Sequence, residues 1–225
     1  LAGLDRDFTD YRMVIVEGTG LGQSRQVSGT FGEVLTLDQD WKVIPDSSSV
    51  VMIGSYGAHF LIYGNNLDGT ARTYAPGSSN YTATAGVNFY GGFQNSIVVS
   101  NNIQEVRTGM FEFSLAEHTV EAGKNTIQPT MFNTFMNNRI TNTRIGIGSA
   151  SLTFKDPVNQ DDLAITGTVW RNNRIEGARE IAMAVAQTET EFRIENCVFD
   201  KNLVLNSPVE VDVSGPAENQ IFIDP

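Results

Sequence analysis

Apolar and polar residues trade places in short runs along most of the chain. HFLIYG, SIVVS, NTFM, GTVWR and EFRIE form one set of such runs, and GVNFY, FEF, RIGIG, EIAMAV and LVL form a second. A period of two predicts half-buried strands. Each run of the first set precedes a pair of asparagines or a remnant of one. The pairs are Asn65-Asn66-Leu67, Asn101-Asn102-Ile103, Asn137-Asn138-Arg139-Ile140 and Asn172-Asn173-Arg174-Ile175, with a degenerate fifth copy in Asn196-Cys197-Val198-Phe199. The intervals between first asparagines are 36, 36, 35 and 24 residues. After each pair a short polar turn leads into a run of the second set.

A chain that turns through three short strands and then repeats is a parallel β-coil. Its coils stack at about 4.8 Å, the spacing of hydrogen-bonded strands, so inward side chains form columns. A buried corner must have its polar groups satisfied. Asparagine does this well: its amide bonds the amides above and below, and its backbone tolerates the left-handed region that sharp corners use. The NN-x-I repeats, the glycine-led strand Gly86-Val87-Asn88-Phe89-Tyr90 and the asparagine column resemble the right-handed parallel β-helix, or pectin-lyase-like, superfamily over roughly residues 57–206. The expected fold is therefore all-β. A short antiparallel β section occupies 1–56, the coils 57–206, and a last partial coil or cap 207–225. The resemblance implies a fold more than an activity, since its members include lyases, hydrolases, epimerases, phage tailspikes and adhesins. It also implies an extracellular or cell-surface location.

Residues 11–56 do not follow the repeat. The stretch EGTGLGQ, residues 17–23, follows the apolar run YRMVIV and looks at first like a phosphate-binding loop. That loop needs a third glycine and a following helix. Gln23 takes the glycine's place, and SRQVSGTFGEVLTL continues with strand alternation. The glycines are expected to form a tight turn in a small antiparallel sheet. GTGLGQSRQV and WKVIPDSSSV resemble the segment that precedes the coils in some bacterial and phage β-helix proteins, where its role is structural.

The intervals of 35 and 36 residues exceed the 24-residue one by about a dozen. The extra residues are expected in three loops: Thr70–Ala85, Ser114–Pro129 and Ser149–Ile165. Long loops on a rigid scaffold are where function concentrates. The second and third follow FEF and RIGIG, strands of the same kind, and should leave one edge of the coil side by side.

Composition narrows the partners. The chain of 225 residues is 40% hydrophobic, enough for a core, and has a formal charge of −11. Nucleic acid and anionic membranes are poor partners for such a surface. No apolar run reaches the roughly 20 residues of a membrane helix, so no membrane insertion is expected. The chain starts at Leu1 rather than Met, which reads as a processed, trimmed or excerpted chain. The single cysteine, Cys197, excludes an internal disulfide and reads as a buried thiol; two histidines, His59 and His118, exclude a multi-histidine metal centre.

Candidate chemistry gathers in the second loop, where Glu112, Glu117, His118, Glu121 and Lys124 fall close together. Paired carboxylates suit glycoside hydrolysis, and a histidine beside glutamate suits a general base. Glu112, Glu117 and His118 are the catalytic candidates. Glu112 leads if the FEF alternation turns both phenylalanines inward; turning Met110 inward instead buries it. Arg144, or Arg139, and Lys124 are candidates to hold a sugar carboxylate, and Tyr74 and Tyr81 to stack on sugar rings, whereas Phe89 and Trp170 read as core. Arg139, Arg171 and Arg174 beside Glu176, Glu180 and Asp200 read as a surface ion-pair network. No cofactor is expected; calcium on Asp156, Asp161 and Asp162 stays open, against an ordinary turn at Asp156-Pro157. The leading functional expectation is glycosidic cleavage of a polysaccharide, by hydrolysis or elimination, along the outer face. The alternative is a non-catalytic glycan-binding or structural module of the shaft, adhesin or tailspike kind. Flat faces on such a shaft leave room for a homo-oligomer.

Overall fold

The computed structural model describes residues 7–70, 84–118, 125–153, 163–185, 193–214 and 217–223, without the side chains of 115–118, 125–127 and 152–153. The chain divides into two compact units, 1–57 and 58–225.

In the first unit, strands β1 (Arg12–Glu17), β2 (Ser24–Phe31), β3 (Val34–Leu37) and β4 (Val50–Gly54) form an antiparallel sheet in the order β3-β2-β1-β4. Phe8, Met13 and Val27 centre a small core that Tyr11, Leu35, Leu37, Trp41, Val51 and Ile53 complete. The glycine stretch is the β1–β2 hairpin loop. Gly18, Gly20 and Gly22 all take positive φ, and a Cβ on Gly18 would run into the Ser48 carbonyl. Gln23 ties the loop to the following segment: its Nε2 donates to Val43 O at 2.8 Å, and its Oε1 accepts from the Lys42 and Val43 amides.

The second unit is a parallel β-helix. Each coil turns through four strands rather than three, and these stack into four parallel faces. The first face holds Ala58, the end of the strand Gly57–Ala58, then Phe93–Gln94, Thr130–Met131, Leu163–Thr166, Arg193–Glu195 and Ala217–Glu218. The second holds Leu61–Tyr63, Ile97–Val99, Thr134–Met136, Val169–Arg171, Val198–Asp200 and Ile221–Ile223. The third holds Asn66–Asp68, Asn102–Gln104, Arg139–Thr141, Arg174–Glu176 and Leu203–Leu205. The fourth holds Ala85–Tyr90, Thr108–His118, Ile145–Thr153, Ile181–Val185 and Val209–Val213, with Asn125–Ile127 antiparallel beside Thr108–His118. Val209–Val213, Ala217–Glu218 and Ile221–Ile223 thus continue the stack.

The faces are short because a left-handed residue ends most of them. Asn95, Phe132, Asn196 and Asn219 turn the first corner, Ser100, Asn137, Asn172 and Lys201 the second, and Glu105, Asn142 and Asn206 the third, all with φ between 51° and 58°. The next residue then turns inward, and where it is polar, as at Ser96 and Asn133, it can cap the neighbouring coil. At the second corner this residue is asparagine throughout. The ladder runs Asn65, Asn101, Asn138, Asn173, Asn202, each Oδ1 after the first accepting both the backbone amide and the side-chain amide of the coil before it at 2.9–3.0 Å. The fifth rung is therefore Asn202, and Asn196 turns a different corner.

The columns between the ladders are apolar. The second face stacks Val98, Phe135, Trp170, Phe199 and Phe222 inward, with Phe135 and Trp170 at 3.9 Å between centroids and 10° between planes. The third contributes Ile103, Ile140 and Ile175, and the fourth Val87, Met110, Ile147 and Met183. Trp170, Phe89 and Cys197 are core residues, as their sequence contexts indicate.

Candidate functional site

The fourth face carries the chemistry-bearing strand, and its register reverses the favoured expectation for FEF. Met110 points inward with Val87 and Ile147, so Glu112 and Ser114 are also inward and fully buried, while Phe111 and Phe113 face out. Glu112 Oε1 accepts from Asn133 Nδ2 at 2.8 Å and from Thr168 Oγ1 at 3.0 Å, both from the first corner. Among the described residues its Oε2 has no partner, and neither does the buried Ser149 hydroxyl opposite it in register. Burial pushes the Glu112 carboxyl up to about 7; the Asn133 and Thr168 bonds pull it down by less. The Cys197 thiol lies in the same interior, raised first by burial and then by Glu112. This carboxyl, sealed inside the coil, does not meet a polymer on the outer face.

What the reversed register brings out is aromatic. Phe113 pairs in register with Tyr90 of the coil before, and their rings stack at 5.3 Å between centroids and 14° between planes. Phe111 stands 6.2 Å from Phe113 and leans over Gly148, where a side chain would strike its ring. Tyr90 is 50% exposed and Phe113 is half-buried. The three rings make an apolar platform beside the point where two long connections leave. The strands Thr108–His118 and Ile145–Thr153 pair in parallel as far as Ala116 and Thr153, past the expected loop starts at Ser114 and Ser149, so the two connections begin later than expected but leave from neighbouring positions on one edge.

The other candidates are distributed as follows. Glu117 and His118 end the strand Thr108–His118, and their side chains are outside the description. Lys124, Tyr74, Tyr81, Glu121 and the aspartates 156, 161 and 162 lie outside the described residues. Arg144 bonds Glu180 of the next coil at 2.6 Å. Arg171 bonds Asp200 at 2.6 Å, Arg174 bonds Glu176 at 3.0 Å, and Arg139 reaches the same Glu176 at 3.8 Å. These arginines hold the coil's own carboxylates. Among the described residues no three His, Cys, Asp or Glu side chains gather as a metal site. Comparison of the chain with protein-family models, with curated proteins and with solved structures returns no match.

The aromatic platform was missed because FEF read alone has two registers. A signal for the right one existed. Setting Gly86, Gly109 and Gly146 in one column places Val87, Met110 and Ile147 together and turns Glu112 in beside Phe89.

Proposed function

We propose that the coil is a non-catalytic glycan-binding module, a β-helix of the pectin-lyase-like kind that holds a polysaccharide on its outer fourth face. The observation that carries this reading is the Tyr90–Phe113 stack with Phe111 beside it. Flat apolar rings suit the C–H faces of pyranose sugars, and their rigidity keeps the entropic cost of binding low. Successive coils repeat at the strand spacing, so an extended polymer meets a regular surface. Two facts favour binding over cleavage. The acid best placed by sequence is enclosed, and the outward arginines beside the ladder are committed to glutamate and aspartate.

The test is a panel of neutral and acidic polysaccharides, scored for retention by the protein and for breakdown, through reducing ends and unsaturated products, with and without calcium. Retention of at least one polymer without breakdown is expected. Phe113→Ala and Tyr90→Ala should each weaken that retention about tenfold, the worth of one good aromatic contact. Breakdown of any polymer would replace this reading with the enzymatic one, and Glu112→Gln would then report whether the buried acid matters. Retention indifferent to both aromatic substitutions would remove the platform from the account.

A further inference from the structure

The antiparallel unit has a cleft of its own. It lies over one end of the sheet, has a volume of about 410 Å³, and is lined by Asp10, Arg12, Gln26, Gly54 and Tyr56 among others. Its origin is a gap in one row of the sheet. Arg12 of β1 stands opposite Gln26 of β2 on one side and Gly54 of β4 on the other. The glycine supplies no side chain, so the row opens beside Arg12. Tyr56 bounds the gap, its hydroxyl resting on Met52 Sδ at 3.1 Å.

Most side-chain polar groups of this cleft are uncommitted among the described residues. Arg12 Nη1 donates to Ser24 Oγ at 3.2 Å, while Nε and Nη2 have no partner among the described residues. The Gln26 side chain and the Asp10 carboxylate have none either among those residues. This contrasts with the coil, whose arginines pair with neighbouring carboxylates. A guanidinium with a free edge recognises a carboxylate by paired hydrogen bonds. A carboxylate such as Asp10 only accepts, so it takes hydroxyl or ammonium hydrogens and rejects a second anion placed next to it. Gln26 both donates and accepts.

We infer that this cleft binds a hydroxylated monoanion of monosaccharide size, a hexuronate, with the sugar carboxylate on Arg12 and ring hydroxyls on Asp10 and Gln26. The two opposite charges set the selection. A neutral sugar leaves Arg12 without its anion, and a compact anion with no hydroxyl, such as acetate, leaves Asp10 with nothing to accept from. The chain's net negative charge opposes the approach of an anion, but at physiological salt that field is screened within about 8 Å, and the local guanidinium decides. The site is separate from the aromatic platform and stands without it.

The experiment titrates the whole chain with glucuronate and galacturonate, followed by calorimetry and by chemical-shift changes. Methyl glucoside, acetate and inorganic phosphate serve as comparison ligands. Saturable binding of at least one uronate is expected, about tenfold tighter than any comparison ligand. Arg12→Gln should lower it about tenfold, and Asp10→Asn, at an exposed left-handed position that asparagine tolerates, should lower it as well. Tyr90→Ala should leave it unchanged. Absence of saturable uronate binding overturns the inference. So does binding that persists in Arg12→Gln, or that follows Tyr90 instead, and phosphate binding equal to uronate binding overturns the proposed selection. Asp10→Asn keeps the question open to decision if the Arg12 variant fails to fold.

Discussion

Glu112 is a carboxyl without a cation among the described residues. The groups that face it are Asn133 and Thr168 from the first corner, Ser149 from the next coil and the thiol of Cys197, none of them positive. Its ordinary value of 4.5 rises to about 7 in the folded chain because burial disfavours the anion. The native state therefore binds more protons than the unfolded state between those two values. Stability from this group is highest below pH 4.5, falls as pH rises to 7, and then levels at a loss of about 3 kcal/mol. Urea unfolding at pH 5 and pH 8 measures it. The wild type should lose more stability across that interval than Glu112→Gln, and the variant should be the more stable protein at pH 8. Equal pH dependence in the two would show that Glu112 titrates normally. This residue also marks where one-line sequence reading stops. Alternation shows that Phe111 and Glu112 face opposite ways, and only the column they share with other coils decides which way is in.

At the scale of the element, the corner is the unit that the sequence announces. Paired asparagines reveal the repeat because one of each later pair bends the chain and the other caps it: Asn137 and Asn172 take positive φ, and Asn138 and Asn173 enter the ladder. In the earlier pairs Ser100 and Gly64 do the bending, and the first asparagine is the rung. That division of labour was not legible from composition, and it is why the fifth rung, Asn202 behind Lys201, has no partner asparagine to advertise it. The first corner, with its mixed caps of Ser96, Asn133, Thr168 and Cys197, left no repeat to find. The ladder makes its own prediction. Asn138→Ala removes the acceptor for the Asn101 amide and the donor to Val98 O, leaving buried groups unpaired, at a cost of about 3 kcal/mol. Asn65→Ala, at an exposed rung, should cost less than about 1 kcal/mol. Chemical denaturation of the two variants separates a continuous ladder from independent hydrogen bonds, which would make both costs alike.

For the molecule as a whole, the decisive fact is that it has two cores with no residue in common. One gathers around Met13 and Val27, the other around the stacked rings of the second face. The two tryptophans divide between them. Trp41 packs at the edge of the first core beneath Arg25, whose guanidinium lies 4.9 Å from its ring, and Trp170 is fully buried in the second. Each is a fluorescent reporter of its own unit. Phe135→Ala takes away the ring stacked on Trp170, and such a truncation costs about 3–5 kcal/mol where the site cannot collapse. In a Trp41→Phe background the remaining signal should show the coil unfolding at much lower denaturant. In a Trp170→Phe background the Trp41 signal should keep its midpoint whether or not Phe135 is replaced. Parallel shifts in both signals would mean that the two cores melt as one cooperative body. A silent Trp41 would mean instead that the antiparallel unit stands on its own hydrophobic contacts, so that its Arg12 cleft and the coil's aromatic platform are free to be altered one at a time.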